Sequence, residues 1–241
     1  MLRDNLFGQK QETIEDFDFG KETAAVFDDM LVRSVPFYGE LQRMMGEMAA
    51  DFAVEGTSLY DLGCSTCATF LELDPVIPRN VRFVGVDFSS EMLERGREKL
   101  SQHGFSRDHE LICADLNENV PVENASVVIM NLTLQFIRPV RRNQVMRTIA
   151  AGTKKGGCLL VIEKVLSGDS QFNRAFIKYY YALKRRNGYS ELEIAQKREA
   201  LENVLIPYRL EENFELFLDS GFSQCEVFFK WYNFCGMIAT K

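Results

Sequence analysis

The stretch YDLGCSTCATF, residues 60–70, holds two kinds of chemistry. Cys64 and Cys67 form a Cys-x-x-Cys pair, the spacing used by dithiol and zinc sites. Gly63 follows a short apolar run and precedes a helix-like segment. A residue without a Cβ there lets the backbone approach a ligand, and a helix N-terminus offers free N–H groups. A structural zinc needs four ligands, yet no second Cys pair or Cys/His pair stands at suitable spacing. The two histidines, His103 and His109, flank a different loop. No metal is therefore expected, and Cys67 is expected to pack beneath the loop as a small hydrophobe. The ligand-loop reading asks for polar residues at the ends of neighbouring strands. Asp87 stands 24 residues beyond Gly63, where an acid accepts ribose hydroxyls. Asp115 and Asn131 end the next two strand-like segments.

Those positions matter only if the elements carry them to one edge. Thr57–Leu62, Val81–Val86, Glu110–Cys113, Ser126–Met130 and Cys158–Ile162 read as strands. Helical segments at Thr66–Leu73, Ser89–His103 and Arg141–Gly152 alternate with them, with Ser89 or Ser90 as N-cap. Such alternation predicts a mostly parallel sheet covered on both faces, an α/β Rossmann-like fold that binds ligands at the carboxyl ends of its strands. Two helices come first, Thr23–Val32 and Phe37–Phe52, behind an irregular arm over residues 1–20. Residues 169–205 break the rhythm and predict two helices around Asn187-Gly188, an insertion after strand five. Helix Glu211–Ser220 and strands Ser223–Phe229 and Phe234–Ala239 close the chain as an antiparallel hairpin, for seven strands in all. The expectation is one domain: a helical cap over 1–55, a nucleotide-binding core over 56–163, the insertion over 164–205, and the final helix and hairpin over 206–241.

Composition narrows the function. The net charge of −7 over 241 residues argues against binding nucleic acid through a broad positive surface. The apolar runs are strand-length, so no membrane span is expected. The first twenty residues lack the pattern of a cleaved leader, which predicts a cytoplasmic, reduced protein. No Ser/His/Asp or Cys/His constellation suggests nucleophilic catalysis.

The loop DLGCS, the acid after strand two, the Asp after strand three and the hairpin after SGF resemble the class I S-adenosylmethionine-dependent methyltransferase fold. A narrower resemblance runs nearly end to end. RDNLF, VFDDMLVRSVPFY, ENASVVIMNLTLQF, NGYSELEIAQKR and ALENVL are similar to the carboxy-S-adenosyl-L-methionine synthase family. That resemblance implies conversion of S-adenosylmethionine and prephenate to carboxy-S-adenosyl-L-methionine and phenylpyruvate. It further implies a homodimer whose product passes to a tRNA carboxymethyltransferase for wobble uridine modification. By the same resemblance, Tyr38, Gly63, Cys64 and Ser65 contact the cofactor, Asp87 holds the ribose, Phe88 stands at an adenine contact, and Asp115 and Leu116 flank the adenine. Asn131 faces the cofactor, and Arg198 binds the transferred carboxylate from the partner subunit. Two departures stand out: Cys67 replaces a Gly of the family loop, and Phe88 replaces an Asn.

The chemistry suits the residues. A sulfonium methyl is weakly acidic, and prephenate loses carbon dioxide and water to become aromatic. The protein must hold a cation, bind a dianion and exclude water. Arg33, Lys184, Arg185, Arg186 and Arg198 are candidate partners for the dianion, while Lys184–Arg186 have Glu191 and Glu193 as alternative partners. Tyr179, Tyr180, Tyr181 and Tyr189 line either a substrate pocket or a dimer interface. Two rival readings share the loop: an ordinary methyltransferase with a small-molecule acceptor, and a non-catalytic cofactor-binding subunit.

Overall fold

The computed structural model describes residues 2–241. Strands β1 (Ser58–Leu62), β2 (Arg82–Asp87), β3 (His109–Cys113), β4 (Ala125–Asn131), β5 (Thr153–Leu166), β7 (Gln224–Trp231) and β8 (Phe234–Thr240) form one sheet in the order β3-β2-β1-β4-β5-β8-β7. The first five are parallel to one another. The β7–β8 hairpin is antiparallel and docks on β5 through β8. An eighth strand, β6 (Tyr208–Arg209), pairs with the end of β5 and has no counterpart in the sequence reading. Two residues carry no readable periodicity.

The alternation of strand side chains divides the core. Val128 and Met130 of β4, with Leu159 and Val161 of β5, face α5 (Pro139–Gly152) and α8 (Leu210–Ser220). Val127, Ile129, Cys158, Leu160 and Ile162 face the other layer. That layer holds Leu41 and Met45 of α2 (Tyr38–Phe52), Phe70 of α3 (Ala68–Leu73), Leu93 of α4 (Ser90–Gln102) and Tyr180 of α6 (Ser170–Arg186). Both faces are covered, as a parallel sheet requires. Strand β5 runs four residues past the Ile162 end read from sequence, because Glu163 and Lys164 continue the same two-face alternation while buried or half-buried.

The insertion is the predicted helix pair, α6 and α7 (Glu191–Leu201). Asp169 caps α6 by accepting from the backbone N–H groups of Gln171 and Phe172. Ser190 and Glu193 form a capping box on α7. Ser89, not Ser90, caps α4, accepting from Met92 N at 3.1 Å. The arm over residues 2–20 lies across these elements. Gln196 of α7 donates to the carbonyls of Phe7 and Gln9, and Phe17 N donates to Ala200 O. Phe19 meets Phe88 and Phe136 edge to face at 5.7 and 5.2 Å. Arm, α1 (Lys21–Ser34) and α7 thereby roof the carboxyl ends of β1, β2, β4 and β5. No helix among the described residues is long and apolar enough to cross a membrane.

Candidate active site

The strand ends open into a cavity of about 190 Å³. Tyr38, Gly63, Cys64, Ser65, Asp87, Phe88, Leu116 and Asn131, all expected at the site, line it. The loop after β1 explains why. Gly63 has φ +83°, and a Cβ there would fall 2.6 Å from Thr133 Cγ2. Only glycine permits that approach. Ser65 and Cys67 also adopt left-handed backbone, as do Leu132 on the facing loop and Phe37 before Tyr38. Non-glycine residues held there cost about 1–3 kcal/mol each, and such positions gather at functional sites. Thr66 pins the loop, its hydroxyl donating to Asp28 and accepting from Lys99, each at 2.7 Å.

Asp87 spans the loop. Its Oδ2 accepts from Ser65 N and its Oδ1 from Ser89 N, both at 2.9 Å. It is 6% exposed, and burial raises its pKa. Beneath it, Asp61 is 1% exposed with neither carboxylate oxygen hydrogen-bonded. Burial, reinforced by the Asp87 charge and opposed by the Thr69 hydroxyl, pushes Asp61 up to about 7. A buried acid with no cationic partner among the described residues is what a cationic ligand would stabilise. The donor set therefore fits a sulfonium nucleoside: a glycine cradle, a carboxylate with lone pairs to spare, and below it an acid whose ionised form a cation would favour.

The Cys-x-x-Cys pair is packing. Both cysteines are buried, and their sulfurs press on β2 and α4 where Gly85 and Gly96 leave room. A hydrogen bond to Cys67 and burial raise the Cys64 thiol well above its ordinary value, the opposite of an activated thiolate. Among the described residues, no group of three or more His, Cys, Asp and Glu is arranged to hold a metal.

Other expected residues lie elsewhere. Asp115 is exposed, and its Oδ1 accepts from the backbone and side-chain N–H of Asn117, both at 2.8 Å. It shapes the turn that presents Leu116 and Asn117. Arg198 is exposed on α7 and does not line the cavity of its own subunit. Arg33 is buried: its Nε and Nη1 donate to Asn187 O, Asp4 O and Asp29, its Nη2 has no partner among the described residues, and the guanidinium lies 3.9 Å over the Tyr189 ring. Arg185 pairs with Glu191, the alternative partner foreseen, and Arg186 is exposed. The tyrosines divide: Tyr180 lines the cavity, Tyr189 is buried under Arg33, and Tyr179 is exposed against Tyr232.

The cavity also holds two lysines that sequence reading passed over, Lys164 and Lys197. The signal for Lys164 was legible. A charged pair, Glu163-Lys164, directly continues an apolar strand at its carboxyl end.

Comparison with known proteins settles the family. A methyltransferase domain model matches residues 59–157. The chain is 57% identical over 242 aligned residues to the carboxy-S-adenosyl-L-methionine synthase of Methylococcus capsulatus, with 100% of both chains covered. The chain belongs to the carboxy-S-adenosyl-L-methionine synthase family. The synthase of Desulforapulum autotrophicum is 45% identical, covering 100% of this chain and 98% of its own. Two solved structures share the fold alone. Human N-acetylserotonin methyltransferase in complex with SAM aligns with TM-score 0.60 at 15% identity, covering 91% of this chain and 55% of its own. An O-methyltransferase family 2 protein from Planctomyces limnophilus aligns with TM-score 0.64 at 17% identity, covering 92% and 61%. As a member of the synthase family with a methyltransferase-type fold, the chain is an enzyme of the transferase class. Its Cys67 adopts φ +58°, a left-handed conformation that a glycine takes without cost.

Proposed function

We propose that the cavity binds S-adenosylmethionine against Gly63, Ser65 and Asp87 and carboxylates its methyl group, with prephenate as the carboxyl donor and phenylpyruvate as the second product. One observation carries this reading: the cavity has walls of opposite charge. Asp87, with Asp61 below, lies at β2 and β1, while Lys164 lies at the end of β5. In the strand order β2-β1-β4-β5 these walls stand three strand spacings apart, about 14 Å. That span suits a cation at one wall and an acid at the other.

In this proposal Tyr38 and Asn131 position the methionine side, Leu116 packs against the adenine, and Phe88 covers it together with Phe19. Asp115 acts through the turn it shapes. The roof of arm and α7 excludes water, which protects carbon dioxide from hydration while it meets the methyl carbon. The exposed position of Arg198 favours a homodimer in which each Arg198 reaches the partner's cavity. The exposed rings of Phe172, Tyr179 and Tyr232 are surface such a dimer could cover. The cap over 1–55, core over 56–163, insertion over 164–205 and closing segment over 206–241 then act as one cytoplasmic unit. Its product would go to a tRNA carboxymethyltransferase.

Mass analysis of the nucleoside recovered from purified protein tests the reading. A compound heavier than S-adenosylmethionine by one carboxyl group, and phenylpyruvate released from prephenate, are expected. A methylated acceptor would favour an ordinary methyltransferase instead. Bound S-adenosylmethionine with no phenylpyruvate would favour a non-catalytic subunit.

A further inference from the structure

The wall opposite the Gly63 loop is built from lysines and aromatic rings on three separate elements. Lys164 stands at the end of β5, Lys184 near the end of α6 and Lys197 on α7. Lys164 Nζ lies 4.8 Å from the Tyr180 ring centre and 5.7 Å from that of Phe234. Lys184 Nζ lies 5.0 Å from the Tyr189 ring and 5.7 Å from the Tyr180 ring. Lys197 Nζ lies 5.7 Å from the Tyr189 ring and 5.8 Å from the Phe17 ring. Three ammonium groups thus surround one pair of tyrosines.

Their anionic partners are few. Asp4, 2% exposed, approaches Lys197 at 3.4 Å and also accepts from the Tyr189 hydroxyl. Glu193 turns back on Ser190 at the start of α7. Asp29 is taken by Arg33 and by Asp4 N. Among the described residues, no carboxylate or carbonyl accepts from the ammonium group of Lys164 or Lys184, whose contacts are the rings. Burying a lysine without an anion is costly. Aromatic faces recover only part of that cost.

Resting on the proposed function, we propose that Lys164 and Lys197 bind the carboxylates of the acid substrate, with Lys184 behind them adding positive potential, so that this wall selects a dianionic donor. The rings of Tyr180, Phe234 and Phe17 supply an apolar surface for an unsaturated six-membered ring. The arm completes the wall through Phe17 and Asp4.

The titration of these groups agrees. Burial lowers Lys164 to about 8, with Lys197 adding repulsion. Burial lowers Lys197 to about 8, with Arg33 adding repulsion while Asp4 and Glu193 oppose it. Burial, then Lys197 and Lys164, lowers Lys184 to about 6, against Asp4 and Glu193. Of the neighbouring phenols, burial raises both Tyr180 and Tyr189, so they stay neutral. An arriving dianion reverses these shifts and draws protons in.

The test separates this wall from the reaction itself. Steady-state kinetics with S-adenosylmethionine and prephenate, followed by phenylpyruvate, are measured for wild type, Lys164→Met, Lys197→Met and Lys164→Arg. The Met variants should raise KM for prephenate about 10- to 100-fold, the range set by losing one charge-assisted hydrogen bond. Their KM for S-adenosylmethionine should change less than threefold, and Lys164→Arg should recover much of the loss. Equal effects on both KM values, or none on that of prephenate, would overturn the proposal.

A second measurement needs no variant. Prephenate is titrated calorimetrically into wild-type protein loaded with S-adenosylhomocysteine, at pH 8, in buffers of different ionisation enthalpy. Uptake on the order of one proton is expected. Binding without proton uptake, or no binding, refutes the lysine wall. If wild type fails to turn over prephenate yet binds it with uptake, the proposed function falls and the lysine wall stands.

Discussion

Replacing Gly63 with Ala puts a Cβ 2.6 Å from Thr133 Cγ2 and 3.0 Å from Thr133 Cβ, and closer still to Thr133 Oγ1. Two costs add. A residue with a Cβ in left-handed backbone costs about 1–2 kcal/mol. Forced overlap in a packed site costs about 1–3 kcal/mol. The total is about 2–5 kcal/mol, divided between fold stability and ligand affinity according to how far the loop retreats. If the loop retreats fully, the protein stays folded and S-adenosylmethionine binds at least roughly 30-fold more weakly. If it holds, the melting temperature falls instead. Calorimetric titration and thermal melting on the same samples measure both parts. Thr133→Gly in the same chain removes the overlapping atoms but leaves the backbone strain, so it should restore about half the loss. A Gly63→Ala protein with wild-type melting and affinity would refute the account, as would a Thr133→Gly background that restores nothing.

Other outcomes follow from the same geometry. Asp87→Ala strands the N–H groups of Ser65 and Ser89 and removes the ribose acceptor, so affinity for S-adenosylmethionine should fall at least about tenfold, at roughly 1–3 kcal/mol per lost buried bond; unchanged binding by calorimetry would remove Asp87 from the site. Arg198→Ala should slow carboxyl transfer about a hundredfold or more, the scale of a lost charge pair, while S-adenosylmethionine still binds; normal turnover rules out its role. Asp61 titrates near 7 in the folded protein but near 4 when unfolded, so the folded state holds the extra proton. Its contribution to stability is therefore full below about pH 4 and is lost as pH rises to about 7, by at most about 1.4 kcal/mol per pH unit. Asp61→Asn should flatten that slope in denaturant melts at pH 5, 6 and 7, and an unaltered slope would show that Asp61 is ionised throughout.

Local pattern carried much of this protein. The switch from helical to strand period after Phe52, the alternation of strands with helices, and Asn187-Gly188 between two helices are short-range signals. Hydrophobic period and capping chemistry are decided within a few residues, so they can be read from the chain alone. The same holds for the Gly63 loop, because the placement of Gly63 and Asp87 at strand ends follows from the alternation itself.

What only the assembled fold decided are pairings across long separations. Arg33 is a basic residue three positions before Pro36 in the sequence, and only the folded chain gives it Asp4 and Asn187 as partners. Lys184 and Arg185 are neighbours with opposite fates, one buried among tyrosines and one on the surface with Glu191. Lys164 lies near the end of a strand and Lys197 sits mid-helix, more than thirty residues later. Nothing local ties the two together. A charge's burial depends on which elements close over it, and that closure is set by packing of the arm, α6 and α7 on the sheet rather than by the residues next to it in the chain.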